Sequence, residues 1–377
     1  MTFKHLEKLN ERQVEAVTYF EGPLLILAGA GSGKTRVLTR RIAHLILEHK
    51  VRPDEILAVT FTNKATQEMV ERVHGLLGEK AKQVWVSTFH STGLRILRRH
   101  AKLLNYPNDF TVYDAQDSTS LIKRIMSAEK IDPKRFSAGM FSKFIDRAKN
   151  NYISPEEAQK ETERYDEVIC AEIYEKYQRE LKASNAMDFG DLLMNTVKLF
   201  SENPETLVHY QKHLRFVLVD EFQDTNLVQY KLVKQLTAHH RNLLVVGDDD
   251  QSIYAFRGAT VRNLLDFKKD FHDAHVVTLD QNYRSTGNVL KASHSIIQQN
   301  KNRMPKEIWT SGPDGDPITT FVADDEGEEA TFISQEIIKR INEGSKYKNI
   351  AIFYRTNAQS RAIEESLISF KIPYRIY

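Results

Sequence analysis

Short, predominantly apolar runs recur along this chain, most of them ending in small, polar or hydroxyl residues. Leu24–Leu27, Ile56–Val59, Val84–Val86, Phe216–Val219, Leu243–Val246 and Val276–Leu279 have the length and uniformity of strands buried on both faces. Apolar positions at helical spacing follow several of them, as in Leu38, Ile42, Leu45 and Ile46, and in Ala65, Met69, Val73, Leu76 and Leu77. Alternating strand and helix predicts an α/β fold, a parallel sheet with helices on both faces. From Arg95 to about His213 the strand-like runs disappear and amphipathic helical segments succeed one another, interrupted near Pro107, Pro133 and Pro155. That predicts a helical insertion over 95–213, dividing a first sheet domain into 1–94 and 214–280. A glycine- and proline-bearing stretch, Ser311 to Pro317, precedes a renewed α/β pattern: a strand at Ile318–Val322, a helix at Glu329–Ile341 and a strand at Ile350–Tyr354. Residues 281–377 therefore read as the first part of a second α/β domain.

Composition narrows the class. At 377 residues the chain exceeds one ordinary core. Hydrophobic residues at 41% with charged residues at 28% indicate a globular protein and exclude a disordered one. No apolar run is long enough to span a membrane, and the first residues lack a signal peptide's apolar segment. The single cysteine, Cys170, excludes an internal disulfide and suits a cytoplasmic location. Thirteen histidines, without cysteine partners or HExxH-like spacing, predict no zinc site. A net charge of +2 leaves any nucleic-acid binding to local patches.

The chemistry gathers after the strands. Leu24–Leu27 runs into Ala28, Gly29, Ala30, Gly31, Ser32, Gly33, Lys34 and Thr35, then a helix beginning near Arg36. The glycines allow left-handed turns that aim backbone N–H groups inward as an anion cradle, continued by the helix N-terminus. Lys34 would reach the β- and γ-phosphates and the Thr35 hydroxyl would ligate Mg²⁺. This is a P-loop, with Ala28 where the strict pattern has glycine. Phe216–Val219 ends in Asp220 and Glu221: Asp220 suits Mg²⁺ through its water shell, and Glu221 suits deprotonating a water. A carboxylate dedicated to water favours hydrolysis over a kinase's phosphate transfer. After Leu243–Gly247, an acidic turn bearing Gln251 runs into Tyr254 and Phe256. An amide near the γ-phosphate can sense it, and aromatics nearby can stack on bases; alternatively both rings are core. Two strand ends, at Phe61, Thr62, Asn63 and Lys64 and at Phe89, His90 and Ser91, suggest one shared groove or plain loop capping. Gln13 is a candidate base reader; Arg36, Tyr283 and Arg284 offer a base face and cations for phosphate. Basic residues in the insertion (Arg95, Arg98, Arg99, Lys102, Lys143, Arg147, Lys149) fit either DNA contacts or a solvated face.

Taken together and in order, these stretches resemble the UvrD/Rep/PcrA group of superfamily 1 DNA helicases, from Asn10 to Tyr377. The resemblance implies two RecA-like motor domains, the second incomplete here, and the cofactors ATP and Mg²⁺. It implies that Gln13 reads adenine with Arg36 and Tyr283 around the base, and that Gln251 and Arg284 contact the γ-phosphate. Phe61, His90, Phe189, Tyr254, Phe256 and Arg257 would line a single-strand track, with Thr62, Asn63 and Ser91 beside them. Arg355 and Asn357 would approach it from the second domain. The implied activity is ATP-driven 3′-to-5′ movement on single-stranded DNA with unwinding at duplex junctions, in DNA repair or replication. Phe256 departs from the family's usual tryptophan. The family's TVHAAKGLEF-like and ALYVAITRA-like stretches are missing, so the expectation is an N-terminal part of a longer helicase, partnered by a complementary C-terminal part. By itself such a part is expected to bind ATP and single strands but to hydrolyse slowly, and to expose apolar surface and a strand edge in its second domain. The alternatives are a nucleotide-gated single-stranded DNA-binding module without efficient turnover, or the motor of a helicase–nuclease.

Overall fold

The computed structural model describes residues 4–301 and 303–376, with the Arg257 side chain outside the described set. The chain divides into two compact units, Met1–Asp314 and Gly315–Tyr377.

In the first unit, α1 (Glu11–Thr18) precedes β1 (Leu24–Ala28), and α2 (Lys34–Leu47) follows it. Then come β2 (Ile56–Thr60), α3 (Asn63–Leu77), β3 (Trp85–Thr88) and α4 (Phe89–His100). A helical segment contains β4 (Thr111–Tyr113), α5 (Ala115–Ala128), α6 (Ala138–Asn150), α7 (Pro155–Glu161), α8 (Tyr165–Ala183), β5 (Ala186–Asp188), α9 (Phe189–Glu202) and α10 (Pro204–His213). The chain returns through β6 (Phe216–Val219), α11 (Leu227–Thr237), β7 (Leu243–Gly247) and β8 (His275–Leu279). Six strands form one parallel sheet in the order β3-β2-β6-β7-β1-β8. Alternate residues feed opposite cores: Leu25, Leu27, Val59, Val219 and Val245 on one face, Ile26, Ala28, Ala58, Leu218 and Val246 on the other. Burial on both faces is why the central strands β1, β6 and β7 are apolar almost throughout.

The insertion has its own core around Phe141, Tyr174, Tyr177 and Leu181. The sequence predicts a helical insertion, but the segment also contains two short strands. β4 and β5 pair in parallel, Thr111 opposite Ala186 and Tyr113 opposite Asp188; strands of three residues are too short to show a period. α4 crosses α9 closely at Gly93, where a Cβ would lie 2.6 Å from the Leu192 carbonyl oxygen.

Residues 281–314 lie within the first compact unit. Gln281 bridges Trp309, the Trp309 N–H donates to the Asp280 carbonyl, and Asn282 Nδ2 donates to the Ala30 carbonyl at 2.6 Å.

In the second unit, helices Glu326–Asn342 and Ser360–Ser369 pack through Ala330, Ile337, Ile363 and Leu367. Asp325 caps the first of these, which starts a turn's breadth earlier than its apolar spacing indicates. The strands expected at Ile318–Val322 and Ile350–Tyr354 are irregular here. Neither has the paired neighbour that a strand requires. Val322 is 92% and Phe353 94% exposed, so this unit shows apolar surface, though no strand edge among the described residues.

Candidate nucleotide site and nucleic-acid face

Because the sheet is parallel, β1, β6, β7 and β8 all deliver their C-terminal ends to one rim, where open α/β sheets bind ligands. Register keeps those ends level: Leu27 lies beside Gly247 and Thr278, and Val219 beside Val245.

After β1 the loop turns at Gly31 (φ 67°) and Gly33 (φ 90°), left-handed positions that a side chain resists, and α2 starts at Lys34. Lys34 Nζ lies 3.2 Å from Glu221 Oε2, at ion-pair distance. That nitrogen is enclosed and makes no hydrogen bond among the described residues. One residue on, Thr35 Oγ1 donates to Asp220 Oδ2 at 3.4 Å. Burial, reinforced by the neighbouring Glu221, pushes the Asp220 carboxyl up to about 7. A buried hydroxyl–carboxylate pair short of positive charge, beside an ammonium short of acceptors, fits a hydrated Mg²⁺ and a polyphosphate. Glu221 has left-handed backbone at φ 48°, ψ 47°, a conformation costing a residue with a side chain on the order of 1–3 kcal/mol. Gln223 then fixes its carboxylate, with Nε2 donating to Glu221 Oε2 at 2.8 Å.

The turn after β7 is tied to the same group. The Asp248 N–H donates to Gln223 Oε1 at 3.0 Å, and Gln251 donates its side-chain amide to Asp248 Oδ2 and its backbone N–H to the Asp248 carbonyl. After β8, the Tyr283 N–H donates to the Gly31 carbonyl at 3.0 Å. Asn282 Oδ1 accepts from the Arg284 N–H at 2.8 Å, setting Arg284 beside the P-loop. Gln13 is buried, donating to the Ser32 carbonyl at 2.8 Å and accepting from the Asn10 N–H. It braces α1 against the P-loop; an amide has two hydrogens and two lone pairs, so each end keeps one for a base edge. The Tyr283 hydroxyl accepts from Asn10 and donates to Gln281, with half of its side chain exposed. Arg36 is half-buried in the first turn of α2.

Beside this rim lies an aromatic face. Phe61, after β2, stacks on Tyr254 with ring centroids 5.4 Å apart, and Phe256 continues the group 5.9 Å from Tyr254. Phe256 is 78% exposed, so these rings are not core. His90 and Phe189 meet edge to face at 5.6 Å, and burial lowers the His90 pKa. Thr62 caps α3 by accepting from the Ala65 N–H, Asn63 begins that helix, and the Ser91 N–H donates to Thr88 Oγ1; all three are exposed. Phe189 directly follows Asp188, a member of a buried ion cluster in which Lys149 Nζ lies 2.7 Å from Asp188 Oδ2 and 2.8 Å from Asp191 Oδ1. Burial alone would lower the Lys149 pKa, but the two carboxylates outweigh it and raise it. Lys149 is thus structural rather than a DNA contact. Arg98 likewise covers the Phe110 ring and donates to the Phe110 carbonyl, and Arg95 covers Trp85. Arg355 and Asn357 are exposed in the second unit.

Residues 9–272 match the family model of the UvrD/REP helicase N-terminal domain, and residues 277–377 match that of the UvrD-like helicase C-terminal domain. The chain belongs to the UvrD/REP helicase family. Among its relatives is the ATP-dependent DNA helicase PcrA of Staphylococcus epidermidis, 49% identical over 98% of this chain and 51% of the relative. The ATP-dependent DNA helicase PcrA of Staphylococcus aureus is 48% identical over 98% of this chain and 50% of its own length. The chain thus spans about half the length of the curated relatives it matches.

For a UvrD/REP-family site, three residues stand out that motif reading passes over. Gln223 joins Glu221 to the β7 turn, Asn282 joins the P-loop to Arg284, and Lys306 sits buried against Asp248. Each lies within or beside a stretch the motifs mark, but amides and lysines carry no pattern that separates a bridge from a solvated side chain.

Proposed function

We propose that this chain is the ATP-binding part of a DNA motor, in which ATP hydrolysis drives movement along single-stranded DNA and opens duplex ahead of it. One observation carries the reading: the turn after β7 bonds Gln251 to Asp248, whose N–H bonds the Gln223 that aims Glu221, and three residues after Gln251 holds Tyr254 stacked on Phe61. A change at the phosphate is therefore transmitted through a few bonds to the aromatic face. Loop N–H groups and Lys34 bind the triphosphate, whose charge competes with Glu221 for the ammonium. Glu221, once displaced from Lys34 and still aimed by Gln223, takes the proton of an attacking water. Mg²⁺ held by Thr35 and Asp220 would supply neutralising charge on the phosphate oxygens. The exposed rings of Phe256 and Phe189 and the half-buried Phe61 stack on unpaired bases, and family resemblance supports DNA contacts for Arg355 and Asn357. Gln13, Arg36 and Tyr283 hold the adenine, and Arg284 the γ-phosphate. Family resemblance supports 3′-to-5′ movement and a place in DNA repair or replication, with single strands and strand junctions as substrates.

The test is ATP turnover by the 377-residue chain with and without single-stranded DNA, beside Lys34→Ala. Turnover that rises with DNA and vanishes in the variant supports the motor. Single-strand affinity that responds to ATP without any turnover points instead to a nucleotide-gated binding module.

A further inference from the structure

Asp248, Asp249 and Asp250 place three carboxylates within 4.8 Å of one another, which only a cation would make stable. The cation is Lys306. Its Nζ lies 2.9 Å from Asp248 Oδ1 and 2.8 Å from Asp250 Oδ2, with Asp249 Oδ1 also in contact, and its side chain is 1% exposed. Arg303 adds a two-pronged contact to Asp250, Nε to Oδ1 at 2.9 Å and Nη2 to Oδ2 at 2.7 Å. The Met304 N–H donates to Asp249 Oδ2 at 2.6 Å. Two residues past Lys306, Ile308 covers the P-loop: a Cβ on Gly29 would fall 2.1 Å from Ile308 Cδ1. One strap, 303–309, therefore grips both the acidic turn and the phosphate loop.

We infer that Lys306 is a positioning residue for triphosphate recognition, pinning the turn that presents Gln251 and, through Gln223, the carboxylate of Glu221. The connection runs through named bonds. Lys306 neutralises Asp248; Asp248 accepts from the Gln251 amide and donates its N–H to Gln223; Gln223 donates to Glu221. Without the ammonium, three adjacent carboxylates repel, the turn opens, and Gln251 and Glu221 lose their common anchor. The residues that distinguish a γ-phosphate are displaced, while the P-loop backbone that holds the inner phosphates stays.

This rests on the site being a triphosphate site, and the experiment separates the two. Affinities of fluorescent ATPγS and fluorescent ADP are measured by titration on the whole chain, for wild type, Lys306→Met, Lys306→Arg, Gln251→Ala and the Lys306→Met/Gln251→Ala pair. Lys306→Met is expected to lose roughly tenfold or more of the triphosphate preference, the scale of one hydrogen bond to a charged group, while ADP affinity is nearly retained. Lys306→Arg restores part of the preference, and the double variant discriminates no worse than Gln251→Ala. A folded Lys306→Met that melts earlier yet keeps the wild-type preference overturns the inference and leaves Lys306 a purely structural lysine. If Lys306→Met does not fold, Asp250→Asn, which loosens both Arg303 and Lys306 but leaves Asp248 in place, is read in the same way. Wild type that binds neither nucleotide overturns the triphosphate site itself, and the inference with it.

Discussion

The P-loop lysine, Lys34, and Glu221 face each other at 3.2 Å although their strands are not neighbours; β7 runs between them. Each neutralises the other, so each is a handle on a different step. Lys34→Ala should abolish triphosphate binding and reduce turnover by at least about 10²-fold, as loss of a donor to a developing anion does. Glu221→Gln should bind ATP as well as or better than wild type, because the competitor for Lys34 has lost its charge. Its turnover should fall by about 10²–10⁴-fold, the usual worth of a general base. Parallel binding and single-turnover assays check both; a Glu221→Gln chain that hydrolyses normally would remove Glu221 from the chemistry.

The exposed ring of Phe256 contributes little to folding and should contribute much to strand binding. Phe256→Ala is expected to weaken affinity for an oligodeoxythymidine by about 1–3 kcal/mol. Its unfolding free energy should stay within about 0.5 kcal/mol of wild type. Anisotropy titration and urea unfolding measure the two numbers on one preparation. Phe61→Ala should show a similar binding loss with some destabilisation, since it also supports Tyr254.

Lys149 behaves in the opposite way. Lys149→Met strands Asp188 and Asp191, which also receive the Tyr177 hydroxyl and the Gln178 amide, in a buried site. Removing one partner of such a cluster costs on the order of 3–5 kcal/mol. Urea denaturation should show it, and adding Asp191→Asn should recover part of the loss by withdrawing one uncompensated charge.

Asp220 sets a pH dependence. Its folded pKa, about 7, lies above that of an ordinary aspartate. Between about pH 4 and about pH 7 the native chain therefore keeps a proton that the unfolded chain has lost. Stability from this group falls as pH rises through that window and is level above it, with a slope of up to about 1.4 kcal/mol per pH unit. A divalent cation must displace that proton, so Mg²⁺ affinity should drop by up to roughly tenfold per unit below pH 7. Asp220→Asn should flatten both curves; an unchanged curve in that variant would assign the dependence to another group.

Much of the first unit was legible because its strands are buried on both faces and its chemistry follows each strand directly. The P-loop at Gly29–Thr35 and the Asp220–Glu221 pair could be named from local pattern, and the rim they share follows from parallel pairing. What could not be read depends on contacts distant in sequence. The 281–314 segment is tied to the P-loop by the Asn282 side chain on the Ala30 carbonyl and the Tyr283 N–H on the Gly31 carbonyl, contacts that no local pattern announces. Lys149 looked like one more basic residue on a helix, because burial is invisible until α6 meets α9. In the second unit, apolar runs at Ile318–Val322 and Ile350–Tyr354 satisfy a strand pattern without the pairing that makes a strand. Pattern states a preference; pairing is a fact about neighbours.

The level strand ends have a further consequence. Side chains on a strand alternate, so sliding β7 by a single residue against β1 would send each of its side chains into the opposite core and carry Gln251 away from Glu221. The spacing of the rim is thus written in hydrocarbon: Leu25, Val245 and Val219, all buried in the core, act as the ruler against which Lys34, Glu221 and Gln251 are placed.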